Sequence, residues 1–450
     1  MRSIHTNVSG WGRYPTASTR LYRPERYRDV MPHDESCIAR GCGRSYGDAS
    51  FDPDGATILM TRLDRLLELD TQRGVLRAEA GATVDEVLEL LVPRGWFLPV
   101  VPGTRHVTLG GCAAADVHGK NQHRAGCFGD HIQELELILA DGSRLRCSPQ
   151  AEPEVFQATI GGMGLTGIIG ELTIRLQPIE TASVQVTQRS TANLAETFAA
   201  LAEVDSDAAY TVAWLDCLAP GEAMGRGVVT HAEHAPLSTA TGRRADPLVI
   251  PRPSTRRVPV DAPGWVLNRR TMALYNRRYL RRCRSAPATG LSSYHEHFFP
   301  LDRLAHWNRL YGRRGFLQYQ FLLPADDAPA QGESMLRRLI RAGHPPFLAV
   351  LKRFARSGLG LLSFAQPGYT LALDFPFGDG GILAELRALD EVVIAGGGRV
   401  YLAKDARLEA HAFRAMYPRF GEWLAIKRRL DPGQRFRSGL SRRLRMQDPP

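Results

Sequence analysis

Three glycine-dense segments crowd the front of the chain: RGCGRSYGD at 40–48, PGTRHVTLGGCAAADVHGKN at 102–121 and GGMGLTGII at 161–169. Glycine reaches left-handed backbone angles and carries no Cβ, so such segments let main-chain amides close upon a ligand. One glycine turn reads equally well as an ordinary loop, and the small residues from Gly110 to Ala115 read equally well as a close-packed helix start. Three such segments in one region point instead to a large, phosphate-bearing cofactor gripped mostly by backbone. The first segment is neither GxGxxG between a strand and a helix nor GxxxxGK[ST], which excludes the Rossmann and P-loop readings.

Around them, short apolar runs alternate with helical patterns. Strands are expected near Ser36–Ala39, Thr57–Met60, Ile132–Leu139, Arg144–Cys147 and Ile168–Leu176. Val84, Val87, Leu88 and Leu91 share one side of a helix over 84–93, with Thr83 and Asp85 offering helix-start oxygens. From about residue 183 the pattern shifts to strands at 209–216, 315–321, 347–354 and 369–375, helices at 332–341, 380–389 and 411–416, and a strand at 391–395. At 450 residues the chain exceeds what one core organises. The expected fold class is α+β in two domains. Residues 1–182 form the cofactor domain and 183–398 a substrate domain on an antiparallel sheet, with a mobile basic insertion at about 225–290. Residues 399–450 return to the first domain.

The 57 Lys+Arg against 47 Asp+Glu leave a formal charge of +10, which favours anionic partners. Seven arginines fall between Arg269 and Arg284 with Tyr275 and Tyr279 among them. They read as a solvated or mobile loop, or as a contact for an anionic membrane or lipid phosphate. No nucleic-acid motif accompanies them, so nucleic acid is not an expected partner. Seven cysteines without a CxxC pair argue against a disulfide framework or a metal site. With no apolar signal core at the start and no run of 18 apolar residues, the expectation is a cytoplasmic protein, in one version peripheral on the inner membrane face. A periplasmic location without a recognisable signal is the less favoured alternative.

The order of the three glycine segments resembles the vanillyl-alcohol-oxidase, or p-cresol methylhydroxylase (PCMH-type), superfamily of FAD-binding proteins. Within it, DVHGKN, FLQYQF, LKRF, LDFPF, YLAKDAR, MYPR and KRRLDPGQRF are similar to the polyprenylphosphoryl-pentose oxidases, over almost the whole chain and least from 225 to 290. The resemblance implies FAD bound at Arg40, Gly41, Cys42, Gly43, Arg44, Ser45, Tyr46, Gly103, Thr104, Val107, Thr108, Gly110, Gly111, Ala114, His118, Gly119, Asn121, Gly162, Gly167, Ile168 and Tyr401. Arg44 stands where covalent relatives often carry histidine, which implies non-covalent FAD. It places Lys404, His118, Gln320, Lys352 and Tyr46 in catalytic positions. Lys120, Trp214, Phe298, Gln318, Phe354, Thr370, Ala372 and Tyr401 fall in or beside the sugar site. Relatives carry cysteine, asparagine, tyrosine and serine where this chain has Ala372, Thr370, Phe298 and Val212. The missing thiol implies a weak response to inhibitors that attach to it.

The strand parities agree with such a site without requiring it. Gln318 and Gln320 share a face, as do Lys352 and Phe354. Paired amides suit sugar hydroxyls and equally suit a solvated face; Lys404 reads equally as an exposed lysine beside Asp405, and His118 as a structural histidine. The implied chemistry is oxidation of the 2'-hydroxyl of a polyprenylphosphoryl pentose to a keto sugar, the first half of an epimerisation in arabinan synthesis. A separate NAD(P)H-dependent reductase would complete it, and a quinone or other acceptor would reoxidise the flavin. An alditol, aldonolactone or natural-product sugar oxidase on the same fold is the alternative. A basic membrane- or nucleic-acid-binding protein with a degenerate flavin site is the alternative of another class.

Overall fold

The computed structural model describes residues 3–30, 35–204, 208–240, 246–378 and 380–449. The first part of the chain builds two sheets. A four-stranded mixed sheet has the order Ser3–Ser9, Thr16–Tyr22, Ala56–Leu59, Cys37–Arg40. A five-stranded antiparallel sheet has the order Leu66–Asp70, Val75–Glu79, Ile168–Arg175, Ile132–Ile138, Arg144–Cys147. The helix Val84–Leu91 forms where periodicity places it. Thr83 caps it in a reciprocal box with Glu86, and Val84, Val87, Leu88 and Leu91 are buried. Each such aliphatic side chain contributes on the order of 1.5–3 kcal/mol against leaving it in water, so the four together outweigh the cap's roughly 1 kcal/mol several-fold.

The second part builds one eight-stranded antiparallel sheet. Its order is Thr289–Ser293, Ser183–Thr191, Arg226–His234, Tyr210–Asp216, Leu348–Phe354, Gly368–Pro376, Phe316–Leu323, Arg399–Val400. The helices Leu194–Val204, Ala328–Arg341 and Gly381–Ala395 pack on one face, joined through Phe198, Leu336, Leu371 and Leu386 in a common core. The other face looks toward the glycine segments. The end of the chain ties back to the front: Phe436 bridges Cys37, Arg442 pairs with Asp52, and Arg443 with Asp48.

Three expectations are corrected here. The arginine cluster is neither loop nor mobile insertion: Arg269–Ser285 is a helix. Asn268 caps it by accepting from the Arg270 and Thr271 amides at 2.8 and 3.2 Å. Asn276 and Leu280 are buried on its inner side, with half-buried Met272, Tyr279 and Cys283 at the same helical spacing, so its apolar stripe is real but sparse. The segment expected as a loop from Gly225 onward begins with the strand Arg226–His234, bonded on both sides in the large sheet; residues 241–245 lie outside the described ones. The run EVVIA at 391–395 is not a strand but the end of the helix Gly381–Ala395. Ile382, Leu386, Leu389 and Val393 recur at helical spacing and are buried, and that packing overrides the β-propensity of the local valines and isoleucine.

Candidate active site

A cavity of about 850 Å³ lies between the glycine segments and the open face of the large sheet. This is near the upper end of the roughly 300–1,000 Å³ typical of small-molecule sites. The first wall is backbone. The N–H groups of Cys42, Gly43, Arg44 and Ser45 find no acceptor among the described residues, and Gly43 has φ +63°. A Cβ on Gly41 would come within 2.2 Å of Thr108 Oγ1, and one on Gly110 within 2.8 Å of Ala80 Cβ, so both positions are closed to any side chain. A row of unspent amides on a glycine cradle fits the pyrophosphate of a dinucleotide cofactor. Arg44 stacks over Trp11 at 4.0 Å and borders the same wall.

The Pro102–Thr104 loop is fixed from a distant part of the chain. Thr104 Oγ1 donates to Asp302 Oδ1 at 2.7 Å, and the Arg105 amide donates to Asp302 Oδ2 at 2.8 Å. Burial raises the Cys42 and Cys112 thiols, the two cysteines on the cavity wall among the described residues. Protonated thiols are poor nucleophiles, and Arg44 offers none. These walls therefore suit a cofactor held without a covalent link.

The opposite wall is made of side chains from separate strands. Gln318 and Gln320 come from Phe316–Leu323, Thr370 and Ala372 from Gly368–Pro376, and Lys352 from Leu348–Phe354; all line the cavity with Tyr46, His118, Lys120 and Lys404. Register explains their meeting: Gln320 pairs with Ala372, and Thr370 with Lys352. Gln320 Nε2 lies 2.9 Å from His118 Nε2 and 3.2 Å from Thr370 Oγ1, and the Thr370 hydroxyl donates to the Phe321 carbonyl at 2.9 Å. The two amide hydrogens are thus spent on an unprotonated imidazole nitrogen and a hydroxyl oxygen. Neutral His118 follows, and burial together with Lys352 holds its pKa well below the usual value.

Three lysines share this end. Lys404 Nζ sits 3.8 Å from the centroid of the Tyr46 ring, a cation–π arrangement. Lys352 Nζ donates to the Gly119 carbonyl at 3.3 Å, and Lys120 Nζ donates to the His297 carbonyl. Burial lowers all three pKa values, Lys352 to about 8 and, with Lys352 adding repulsion, Lys120 to about 7. For Lys404 burial is opposed by the carboxylate of Asp374.

Asp374 was not anticipated. It shares the strand parity of Thr370 and Ala372, accepts from Gln318 Nε2 at 2.5 Å, and is itself raised by burial. That alternation was the available signal. Asp302, Trp11 and His297 were missed as well, and no local pattern marks them.

Most of the anticipated residues border this cavity. Besides those already placed, Val107, Thr108, Gly111, Ala114, Gly119, Gly167, Trp214, Phe298 and Tyr401 line it. Five stand behind its wall. Arg40 spends its guanidinium on Ser50 and the Ser9 carbonyl. Asn121 donates to the Pro99 carbonyl at 2.8 Å, and Gly162 packs against the Ala158 carbonyl. Ile168 is buried in a separate core while its neighbour Ile169 faces the cavity. Phe354 packs against the His118 ring at 4.7 Å instead of lining the space. Among the described residues no acidic, histidine and cysteine group is arranged to hold a metal.

An FAD binding domain model matches residues 28–148, the stretch that carries the first two glycine segments. The chain is a flavoprotein of the PCMH-type fold, an FAD-dependent oxidoreductase that holds its cofactor non-covalently. It is 36% identical over 450 residues to decaprenylphosphoryl-beta-D-ribose oxidase of Mycolicibacterium smegmatis, covering 98% of this chain and 97% of that one. It belongs to that oxidase family. An alditol oxidase of a Streptomyces species is 25% identical over 96% of this chain and 97% of its own. The human Delta(24)-sterol reductase is 34% identical over 120 residues, 27% of this chain and 23% of that one.

Proposed function

We propose that the protein oxidises the 2'-hydroxyl of a polyprenylphosphoryl pentose to the 2'-keto sugar, the first half of an epimerisation. The observation that carries this is the meeting of Lys404, Lys352 and Lys120 with the two glutamine amides opposite the glycine wall. Bound FAD supplies the hydride acceptor. Gln318 and Gln320 orient the sugar, and Lys120 and Lys352 face its phosphate. As the hydride departs, negative charge grows on the hydroxyl oxygen; Lys404 stabilises it or receives its proton. An amine whose pKa is lowered by burial exchanges a proton near neutrality more readily than a solvated lysine does. The Tyr46 ring holds this group in place, and neutral His118 anchors the amide of Gln320. A separate NAD(P)H-dependent reductase then completes the epimerisation, in arabinan synthesis, and a quinone or related acceptor reoxidises the flavin.

The same reading gives the Arg269–Ser285 helix a partner. All seven of its arginines are exposed, no acidic residue occurs from 262 to 295, and Trp265, Leu274 and Tyr275 are 75%, 55% and 57% exposed. Basic side chains interleaved with exposed apolar ones suit an anionic membrane surface. None of the described helices is long and apolar enough to cross a membrane. Attachment to the inner face of the cell membrane fits both facts.

The test is the anaerobic absorbance spectrum of the holoprotein with a polyprenylphosphoryl-ribose analogue. Bleaching of the flavin band with a keto-sugar product is expected. A flavin bleached only by a soluble alditol moves the activity to the alditol-oxidase side, which the full-length Streptomyces relative makes the specific rival. Membrane attachment is checked separately with anionic vesicles: neutralising Arg277, Arg278, Arg281 and Arg282 is expected to abolish binding.

A further inference from the structure

Lys404 and the Tyr46 ring on which it sits come from opposite ends of the chain. Tyr46 belongs to the first glycine segment, and Lys404 ends the short turn Leu402–Lys404 that follows the strand Arg399–Val400. The two segments touch where the Tyr46 amide donates to the Ala403 carbonyl at 2.9 Å. One such bond is a pivot: it sets a distance and leaves the angle between the segments free. Seating Lys404 Nζ 3.8 Å from the ring centroid needs that angle fixed.

A second point of attachment lies one residue beyond Lys404 and two beyond Tyr46. Asp405 and Asp48 are both buried, and one guanidinium serves them together. Arg443 Nε and Nη2 donate to the two oxygens of Asp48 at 3.1 and 2.8 Å, while Nη1 lies 2.8 Å from Asp405 Oδ2. Nη1 also donates to the Leu408 carbonyl at 2.6 Å. Asp405 Oδ1 already accepts from the Arg407 and Leu408 amides at 2.9 and 2.8 Å, which leaves the other oxygen for Arg443. Burial works against the Asp405 carboxylate, yet Arg443 and Arg407 hold its pKa below the usual value. The short helix Gly439–Arg443, capped by Ser438, brings the arginine here and docks on the same segment, the Leu440 amide donating to the Asp48 carbonyl at 3.2 Å. A planar fork spans these acceptors where a single ammonium does not.

We propose that Arg443 is a positioning residue for Lys404: by neutralising Asp48 and Asp405 together it locks the two segments and holds the lysine on the Tyr46 ring. The inference rests on the proposed role of Lys404 in proton transfer. Arg443 does not line the cavity, so it acts through position alone. Without it, two buried carboxylates on neighbouring edges of one small space lose their shared cation, a state that burial penalises heavily. The segments then part around the Tyr46–Ala403 pivot to let water reach the carboxylates, and Lys404 leaves its buried seat.

The experiment titrates Lys404 directly in the holoenzyme, by trace acetylation with acetic anhydride across the pH range and mass spectrometry of the peptide that contains it. In wild type the midpoint lies below the 10.5 of a solvated lysine, because burial outweighs the Asp374 carboxylate and Lys352 adds repulsion. The other groups facing it, Tyr46 and neutral His118, carry no charge. In R443M the midpoint should move most of the way back to 10.5. Flavin reduction at pH 7 and saturating FAD should slow by about a hundred-fold, the scale of a small misplacement of a reacting group. KM should change little, since Gln318, Gln320, Lys120 and Lys352 stand on other segments. The triple variant D48N/D405N/R443M removes the stranded charges and should return midpoint and rate toward wild type, which lost packing of Arg443 would not do. R443K, used where R443M does not fold, should fall between the two. An unmoved midpoint in the single variant overturns the inference, as does a triple variant no better than R443M. A midpoint that moves while flavin reduction keeps its rate leaves the clamp standing and removes Lys404 from the proposed reaction.

Discussion

The two walls of the cavity are built on different principles. The glycine wall works through main chain: free amides, absent Cβ atoms and close approach, from segments each contiguous in sequence. The sheet wall works through side chains that arrive in ones and twos from three strands and are brought together by register. The first wall tolerates almost no added atoms, whereas the second tolerates shape changes and fails when charge or hydrogen bonding is altered. The departures from the resembled family, Thr370, Ala372, Phe298 and Val212, all fall on or beside the second wall and none in the glycine segments. On the proposed reading, a cofactor shared by many reactions is held by backbone, and the substrate that distinguishes them by replaceable side chains.

This contrast breaks most sharply at Lys404. K404M is expected to slow flavin reduction by roughly 10²–10⁴-fold, the usual scale of a proton-transfer group, while FAD stays bound. Rapid-mixing reduction alongside the bound-flavin absorbance checks both halves, and loss of FAD in this variant would mean the walls are not independent. G41A should do the reverse. Its methyl group meets Thr108, and overpacking of about 1–3 kcal/mol would weaken FAD by roughly 10–100-fold. Flavin retained through gel filtration measures it. Enzyme resaturated with FAD should then turn over near the wild-type rate.

Smaller effects sharpen the picture. Q320L removes the donor shared by His118 and Thr370 and should cost about tenfold in kcat/KM. A compensating loss of FAD affinity would contradict the division.

Lys352 gives a pH-dependent test. Burial lowers its folded pKa to about 8 from 10.5. Between those values the unfolded chain binds the extra proton, so stability rises with pH; the penalty is fully present below about 8 and gone above 10.5. K352M should therefore melt higher than wild type at pH 7, and the gap should close toward pH 10.5. Over the same range the KM for a phosphorylated sugar should rise in wild type as pH passes about 8, because the cation that faces the phosphate is lost. In K352M the rise should be smaller and should follow Lys120 alone, whose pKa moves up once the repulsion from Lys352 is gone.

The glycine segments were legible because a cradle made of backbone must be written in consecutive residues. Half of the sheet wall was legible too: strand parity joined Gln318 to Gln320 and Lys352 to Phe354, though it did not say which face held the cavity. Phe354 shows the limit, since its parity matches Lys352 while its ring packs behind His118. Asp374 lay within reach of the same alternation. Asp302 did not, because its two hydrogen bonds cross to residues almost two hundred positions earlier. Two secondary-structure expectations failed where local composition outweighed period. Arginines hid the stripe of Arg269–Ser285, and valines and isoleucine disguised the end of Gly381–Ala395.

By itself the sequence determined the cofactor class and the strands that carry the chemistry, because glycine conformational freedom and side-chain alternation are local properties of the chain. The tertiary structure decided which of those side chains share one space, and that the arginine helix packs on the large sheet. Register between strands far apart in sequence and the docking of a sparse helical stripe are set by packing, which no local window contains.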